Sequence, residues 1–238
     1  MKAFFVDVLD NFLSPVFLEG VRKKFHYGDT QVDEFQTVAE EMLPLMREEA
    51  FWEREDSFAR NKHQTGNGNV IYENVVMSLG RGLDCLQESY SDRGMLSQSY
   101  MLEVLASELL LQGYEAYNRY IKENTDWHVA RYHFPGSEED FPIEILPALL
   151  KGVAPQVTCN SAFCIFPQKS VAFISELTKD EKLQCGGICV GCNNICCPNR
   201  MADDSLAKNP LAGMANMPLT YGYRRIFGEF SNQQHRCK

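Results

Sequence analysis

Ala162-Phe-Cys-Ile-Phe166 and Ser170-Val-Ala-Phe-Ile-Ser175, separated by Pro167-Gln168-Lys169, are two short apolar runs rich in Phe, Ile and Val. Their length and composition predict a pair of β-strands around a tight connection. Upstream, between Leu96 and Ile121, the apolar positions Tyr100, Met101, Val104, Leu105, Leu109, Leu111 and Tyr114 recur on a helical period. The period predicts one long buried helix. Gly113 inside it costs on the order of 1 kcal/mol relative to Ala, so it marks either close packing or a break.

Other segments read less sharply. Val32, Phe35, Val38, Ala39, Met42, Leu43 and Met46 repeat at three- and four-residue spacing, and Asp33, Glu34, Glu40 and Glu41 fall between them. That is an amphipathic helix, and the first sixty residues as a whole read as helices joined by a turn. Gly66 and Gly68 signal a turn feeding Val70-Ile71-Tyr72 and Val75 to Gly80, read as a strand. Pro135 and Gly136 make Arg131 to Ser137 a loop. Pro142 to Leu150 follows as a short helix, with Pro142 near the first turn where its missing N–H costs nothing.

The chain has 238 residues, 45% hydrophobic and 23% charged, the mix of a folded protein. A chain of this length buries roughly 70% of its unfolded surface, so it needs no metal or disulfide merely to hold a core. The net charge of −9 argues against nucleic acid or an anionic membrane as the main partner, since both require clustered cations. Asp7 and Asp10 interrupt the apolar N-terminal run before a signal-peptide core can form, and the apolar segment from Met101 to Tyr117 carries Glu103, Glu108 and Glu115. A cytoplasmic protein without a membrane span is the expectation.

Cysteine usage is the unusual feature. Five of nine cysteines fall in Cys185-Gly-Gly-Ile-Cys189-Val-Gly-Cys192-Asn-Asn-Ile-Cys196-Cys197-Pro198. In a reducing cytosol such crowding signals a metal or a cluster before a disulfide framework. Cys185, Cys189 and Cys192 with Cys196 or Cys197 offer four thiolates in a short loop, enough for a [4Fe–4S] cluster or one tetrahedral zinc. Gly186, Gly187 and Gly191 let the backbone turn its N–H groups toward cluster sulfurs. Adjacent cysteines do not easily bind one metal together, which leaves one of Cys196 and Cys197 spare. The Cys185, Cys189, Cys192 triplet also has the spacing of radical S-adenosylmethionine enzymes, but too little chain follows it for a barrel. Cys85, in Leu83-Asp84-Cys85-Leu86, reads as a small buried hydrophobe.

Several stretches together resemble a known family. Ala130-Arg131-Tyr-His-Phe-Pro135-Gly136-Ser137, Ile143-Glu-Ile-Leu-Pro-Ala-Leu-Leu150, Asn160-Ser-Ala162-Phe-Cys-Ile-Phe-Pro167 and Pro167-Gln-Lys-Ser-Val171 stand in the order found in the activation domain of cobalamin-dependent methionine synthase. They are especially similar to the stand-alone bacterial proteins built on that domain, which end in a Cys-x-x-Cys-x4-Cys-x-x-Arg run. Here that run is Cys189-Val-Gly-Cys192-Asn-Asn-Ile-Cys196-Cys197-Pro-Asn-Arg200. Leu102-Glu103-Val-Leu-Ala-Ser107-Glu108 and Tyr27-Gly28 fit the same plan, so the likeness covers about residues 15 to 200.

The resemblance implies a mixed α/β (α+β) fold, with a twisted antiparallel sheet flanked by helices over residues 1–180, followed by an irregular Cys-rich segment over 181–238. It implies S-adenosylmethionine binding through Arg131, Pro135, Gly136 and Glu103, and docking on a corrinoid (cobalamin) protein during its reductive activation. The family's Tyr after the turn glycine is Ser137 here, and the Thr and Ser of its next strand are Asn160 and Ala162. Co(II) to Co(I) reduction needs a low-potential electron, which a [4Fe–4S] cluster can deliver. The competing expectations are an S-adenosylmethionine-binding or corrinoid-docking scaffold with structural zinc, and a methyltransferase acting on a corrinoid. His128 and His133 flank Arg131 as further candidates for a metal ligand or a base. Lys169-Ser170 looks like a catalytic pair only in sequence.

Overall fold

A computed structural model describes residues 3–56 and 70–180, together with Lys182 and Ile188. By internal contacts the chain divides into Met1–Arg200 and Met201–Lys238, and the description concerns the first. Three helices open the fold: α1 (Ala3–Asp10), α2 (Pro15–Lys24) and α3 (Val32–Glu49). Ser14 starts α2 by accepting a hydrogen bond from the Phe17 N–H at 3.2 Å, and Pro15 occupies the first turn, where a missing N–H is harmless.

Strand β1 (Phe51–Asp56) follows, then β2 (Val70–Ser78), α4 (Gly82–Asp92), α5 (Leu96–Asn124), β3 (His128–His133), α6 (Leu146–Val153), β4 (Thr158–Cys159), β5 (Ile165–Phe166) and β6 (Ser170–Thr178). The main sheet is antiparallel, in the order β1-β2-β6-β3, so β2 and β6 are central. The chain is thus a mixed α/β protein built on a four-stranded antiparallel sheet.

Each face of the sheet has its own core. On one, Val75, Met77, Phe173, Leu177 and Tyr132 pack under α1, α3 and α5. On the other, Val76, Ala172 and Ile174 pack under Leu146, Leu149, Leu150 and Val153 of α6. The alternation of β2 and β6 between these clusters is the two-residue period of a strand buried on both sides. Gly113 proves to be a packing glycine. Helix α5 runs through it unbroken, and an added Cβ would meet the Met77 sulfur at 3.2 Å.

Four expectations are corrected. The first sixty residues are not all helical, because Phe51–Asp56 forms the edge strand β1. Arg131 to His133 is strand rather than loop, and the turn begins only at Pro135. The two apolar runs are both extended but do not pair with each other: β5 pairs with β4, whereas β6 is claimed on both sides by β2 and β3. Cys85 is half-buried on α4 and disulfide-bonded, not a free core thiol.

Candidate functional site

The residues singled out by resemblance fall into two separate places. Strand β3 carries Arg131 and His133. Its pairing with β6 shifts between Val129 and Arg131, so that Val129 sits opposite Leu177 while Arg131 sits opposite Glu176. The extra residue, Ala130, is a bulge, a device that re-aims the side chains after it. It puts Arg131 and His133 on the α6 face in register with Glu176 and Ile174, and leaves Tyr132 in the core under α5.

After His133 the chain turns sharply. Gly136 has φ +86°, its N–H donates to the Phe141 carbonyl at 2.7 Å, and a Cβ there would meet Ile143 at 3.2 Å. Glycine is required on both counts. The turn folds Glu138 back over the strand. Its carboxylate lies 3.1 Å from His133 Nδ1 and 3.4 Å from Arg131 Nη2, while Glu176 approaches His133 Nε2 at 3.0 Å. His133 is 5% exposed and its ring lies against Phe141 at 4.4 Å. Tyr72, beside them, is pushed upward in pKa first by burial and then by the Glu176 and Asp140 charges.

This cluster has a definite chemical character. The His133 ring meets Glu138 at Nδ1 and Glu176 at Nε2, so the two carboxylates stand at opposite edges of one imidazole. Among the described residues no group of three His, Cys, Asp or Glu side chains could hold a metal ion. Arg131 is half-exposed and meets Glu138 through one nitrogen only. An incoming carboxylate would compete with Glu138 for its fork. His128 is turned elsewhere, with Nε2 at 2.6 Å from the Asp180 carbonyl.

The positions that differ from the family pattern have local work. Ser137 donates its hydroxyl to the Phe134 carbonyl at 2.7 Å, and the Asn160 side chain accepts from the N–H groups of Ala162 and Cys164 at 2.9 and 3.0 Å. Both close turns, as short polar side chains do.

Glu103 lies in the second place, on α5 at the start of β6. It pairs with Lys169, which is 5% exposed, and accepts a hydrogen bond from Gln87 at 3.2 Å. Arg131 does not share this corner. It is in register with Glu176, and Lys169 precedes Glu176 by seven positions, roughly 23 Å at the rise of an extended strand. Glu103 and Arg131 therefore do not line one pocket. Pro135 and Gly136 stay with Arg131. Lys169-Ser170 is no catalytic pair, since the lysine is held by Glu103 and the Ser170 hydroxyl donates to Ser78 Oγ at 2.8 Å.

The Glu103 corner also includes Asp84 and Cys85, at the start of α4. Asp84 accepts from the Gln168 N–H at 2.8 Å through one oxygen, and its other oxygen is buried with no hydrogen-bond partner. Burial raises the Asp84 pKa, partly offset by the Gln168 N–H and the charges of Lys169 and Arg81. A carboxyl that holds its proton more tightly when folded favours the native state most below about pH 4, its unfolded range, and loses that contribution as pH rises through the raised value. Asp84→Asn keeps an acceptor for Gln168. The melting temperature of the variant relative to wild type is therefore expected to climb as pH rises from about 4 through the raised value. A difference that is flat or falls over that window would show that the corner stabilises the charged form.

The metal-ligand candidates Cys185, Cys189, Cys192, Cys196 and Cys197 lie outside the described residues. Ile188, within that run, packs against the larger core. Sequence reading missed the Asp84–Lys169–Glu103 corner, which joins α4, α5 and the lead into β6. No local pattern signals it. No helix among the described residues is long and apolar enough to cross a membrane. Compared with known proteins, the chain matches no protein-family model, and no curated protein matches it significantly.

Proposed function

We propose that this protein is an accessory factor in the reductive activation of a corrinoid protein, delivering one low-potential electron to cob(II)alamin. The observation that carries the reading is the cysteine run. Cys185, Cys189, Cys192 and one of Cys196 and Cys197 form a thiolate set of the number and spacing that a [4Fe–4S] cluster takes. The likeness of the body to a methionine synthase activation domain supplies the partner, and the mixed α/β architecture with its antiparallel sheet agrees with that likeness.

The donor chemistry suits the group: four thiolates, glycines beside them, and Ile188 packing on the core to tie the run to the body. Bound there, a cluster would supply the electron, losing one as Co(II) gains one to become Co(I). The chain's own part is to hold the thiolates and to present them to the partner. Arg131, half-exposed and singly paired, is the group on the sheet face suited to a carboxylate of S-adenosylmethionine or of the corrinoid side chains.

Metal and sulfide analysis on protein purified without oxygen tests this. About four irons and four sulfides per chain are expected, with an absorption band near 400 nm that dithionite bleaches and that Cys189→Ala with Cys192→Ala abolishes. A preparation with one zinc and no iron would sink electron transfer and leave a docking scaffold.

A further inference from the structure

The carboxylate that Arg131 would take from a ligand is already supplied by the chain. Glu138 Oε1 lies 3.4 Å from Arg131 Nη2 and 3.1 Å from His133 Nδ1, so one oxygen is shared between guanidinium and imidazole. The other ring nitrogen, Nε2, stands 3.0 Å from Glu176 on the central strand β6. We propose that Glu138 is a built-in competitor that occupies Arg131 in the absence of a carboxylate ligand, and that the proton on His133 sets how readily it yields. This rests on the reading of Arg131 as the carboxylate-binding group of the sheet face, and adds the regulation of that site.

The turn after β3 is built to deliver this side chain. Gly136 at φ +86°, the Gly136 N–H to the Phe141 carbonyl at 2.7 Å, the Ser137 N–H to the Phe134 carbonyl at 2.9 Å and the Phe141 N–H to the Glu138 carbonyl at 3.2 Å fix its backbone. Rotation of the Glu138 side chain alone frees Arg131, and no strand has to move. The side chains of Arg131 and Glu138 are 44% and 23% exposed, so a ligand can reach the contact from solvent.

Proton accounting gives the direction. A charged ring donates from both nitrogens, so Glu138 keeps a charge-assisted hydrogen bond when a ligand takes Arg131 from it. A neutral ring has a single N–H. Where Glu176 receives it, Nδ1 turns a lone pair toward Glu138, which then depends on Arg131 alone; the other tautomer sets the lone pair against Glu176 instead. In both cases the balance is the same: guanidinium and imidazolium match the two carboxylates, whereas a neutral ring leaves one negative charge in excess against an incoming anion. The other described groups around the ring do not reverse this. Burial first, and then the Glu176 and Asp140 charges, push the Tyr72 pKa up, so that phenol on β2 stays neutral and Asp140 adds negative charge. Phe141 and, from α6, Leu146, Leu149 and Leu150 are apolar. Carboxylate binding is therefore linked to proton uptake, and weakens as pH rises through the range in which imidazoles discharge.

The test measures the dissociation constant of S-adenosylmethionine by calorimetry for full-length wild type, Glu138→Gln, His133→Gln and Arg131→Gln, from about pH 5.5 to about pH 8. Melting curves check that each variant folds. Dividing the wild-type constant by that of Glu138→Gln at each pH cancels any titration of the probe itself. That ratio is expected to grow about tenfold from the acid to the alkaline end. His133→Gln is expected to bind at every pH as weakly as wild type does at the alkaline end, and Arg131→Gln to bind least throughout. Should His133→Gln fail to fold, the ratio from Glu138→Gln decides by itself. A ratio that stays near one overturns the competitor and leaves Arg131 as the binding group. A ratio well above one but flat overturns the part given to His133. No binding by wild type or Glu138→Gln, or binding by Arg131→Gln equal to wild type, overturns the competitor together with the reading of Arg131.

Discussion

Phe173→Ala is expected to lower the stability of the fold by about 3–5 kcal/mol, as a shift of the urea midpoint would register. Phe173 lies on the central strand β6, is fully buried, and is ringed by Tyr114 at 5.0 Å, Tyr132 at 5.3 Å, Tyr117 at 5.6 Å and Phe134 at 6.3 Å between centroids. These rings come from α5, β3 and the segment after β3, so one side chain joins the long helix to two strands. Truncation forfeits the transfer energy of the ring and the edge-to-face contacts. It also leaves a cavity that four large rings on three elements cannot readily close. Phe173→Leu refills most of the volume and is expected to cost less than half as much. A loss below about 1 kcal/mol for the alanine variant would mean the aromatic cluster is not the centre of this core.

How far the fold could be read in advance follows from the same packing. Helices α3 and α5 were legible because each buries one stripe, and that stripe writes a period into the chain. Strand β1 was not. Phe51-Trp-Glu-Arg-Glu-Asp56 is an edge strand with charges at four of six positions, and of Phe51 to Glu55 only Trp52 is buried, so its alternation is too faint to separate from the helix before it. Strand β3 hid for another reason. The bulge at Ala130 interrupts the two-residue period in mid-strand, and the nearby Pro135 and Gly136 make the whole stretch resemble a turn. The two apolar runs near residue 165 show the limit of adjacency. Their strand character was legible, but their partners were decided by β2 and β3, which arrive from distant parts of the chain. For the site, Arg131 and Gly136 stand together as their spacing suggests. Glu103 stands apart from them, because separation across a sheet leaves no trace in local sequence. The tie between Asp84, Lys169 and Glu103 is equally silent.

Glu103→Ala and Lys169→Met remove the two halves of one ion pair and are expected to have unequal effects. The Lys169 side chain is 6% exposed and that of Glu103 is 43% exposed. Taking away the carboxylate strands an ammonium inside the protein, with Asp84 as the carboxylate that still acts on it among the described residues, and a cost of about 2–3 kcal/mol is expected. This is below the 3–5 kcal/mol typical of fully buried pairs because half of this one already faces water. Taking away the lysine instead leaves a glutamate that water can solvate and that still accepts from Gln87. Methionine fills the space of the lysine stem, so a cost under about 1 kcal/mol is expected. In the double variant the pair is gone without an orphan, and its stability should lie close to that of Lys169→Met alone. Chemical denaturation of the three variants reads all of these values. Equal losses from the two single variants would show that Lys169 is not desolvated. The same set bears on the role of Glu103: if its duty is to neutralise Lys169 at the start of α4, the double variant with restored stability also shows the same response to added S-adenosylmethionine as wild type. If Glu103 instead serves a ligand, stability returns in the double variant and ligand affinity does not.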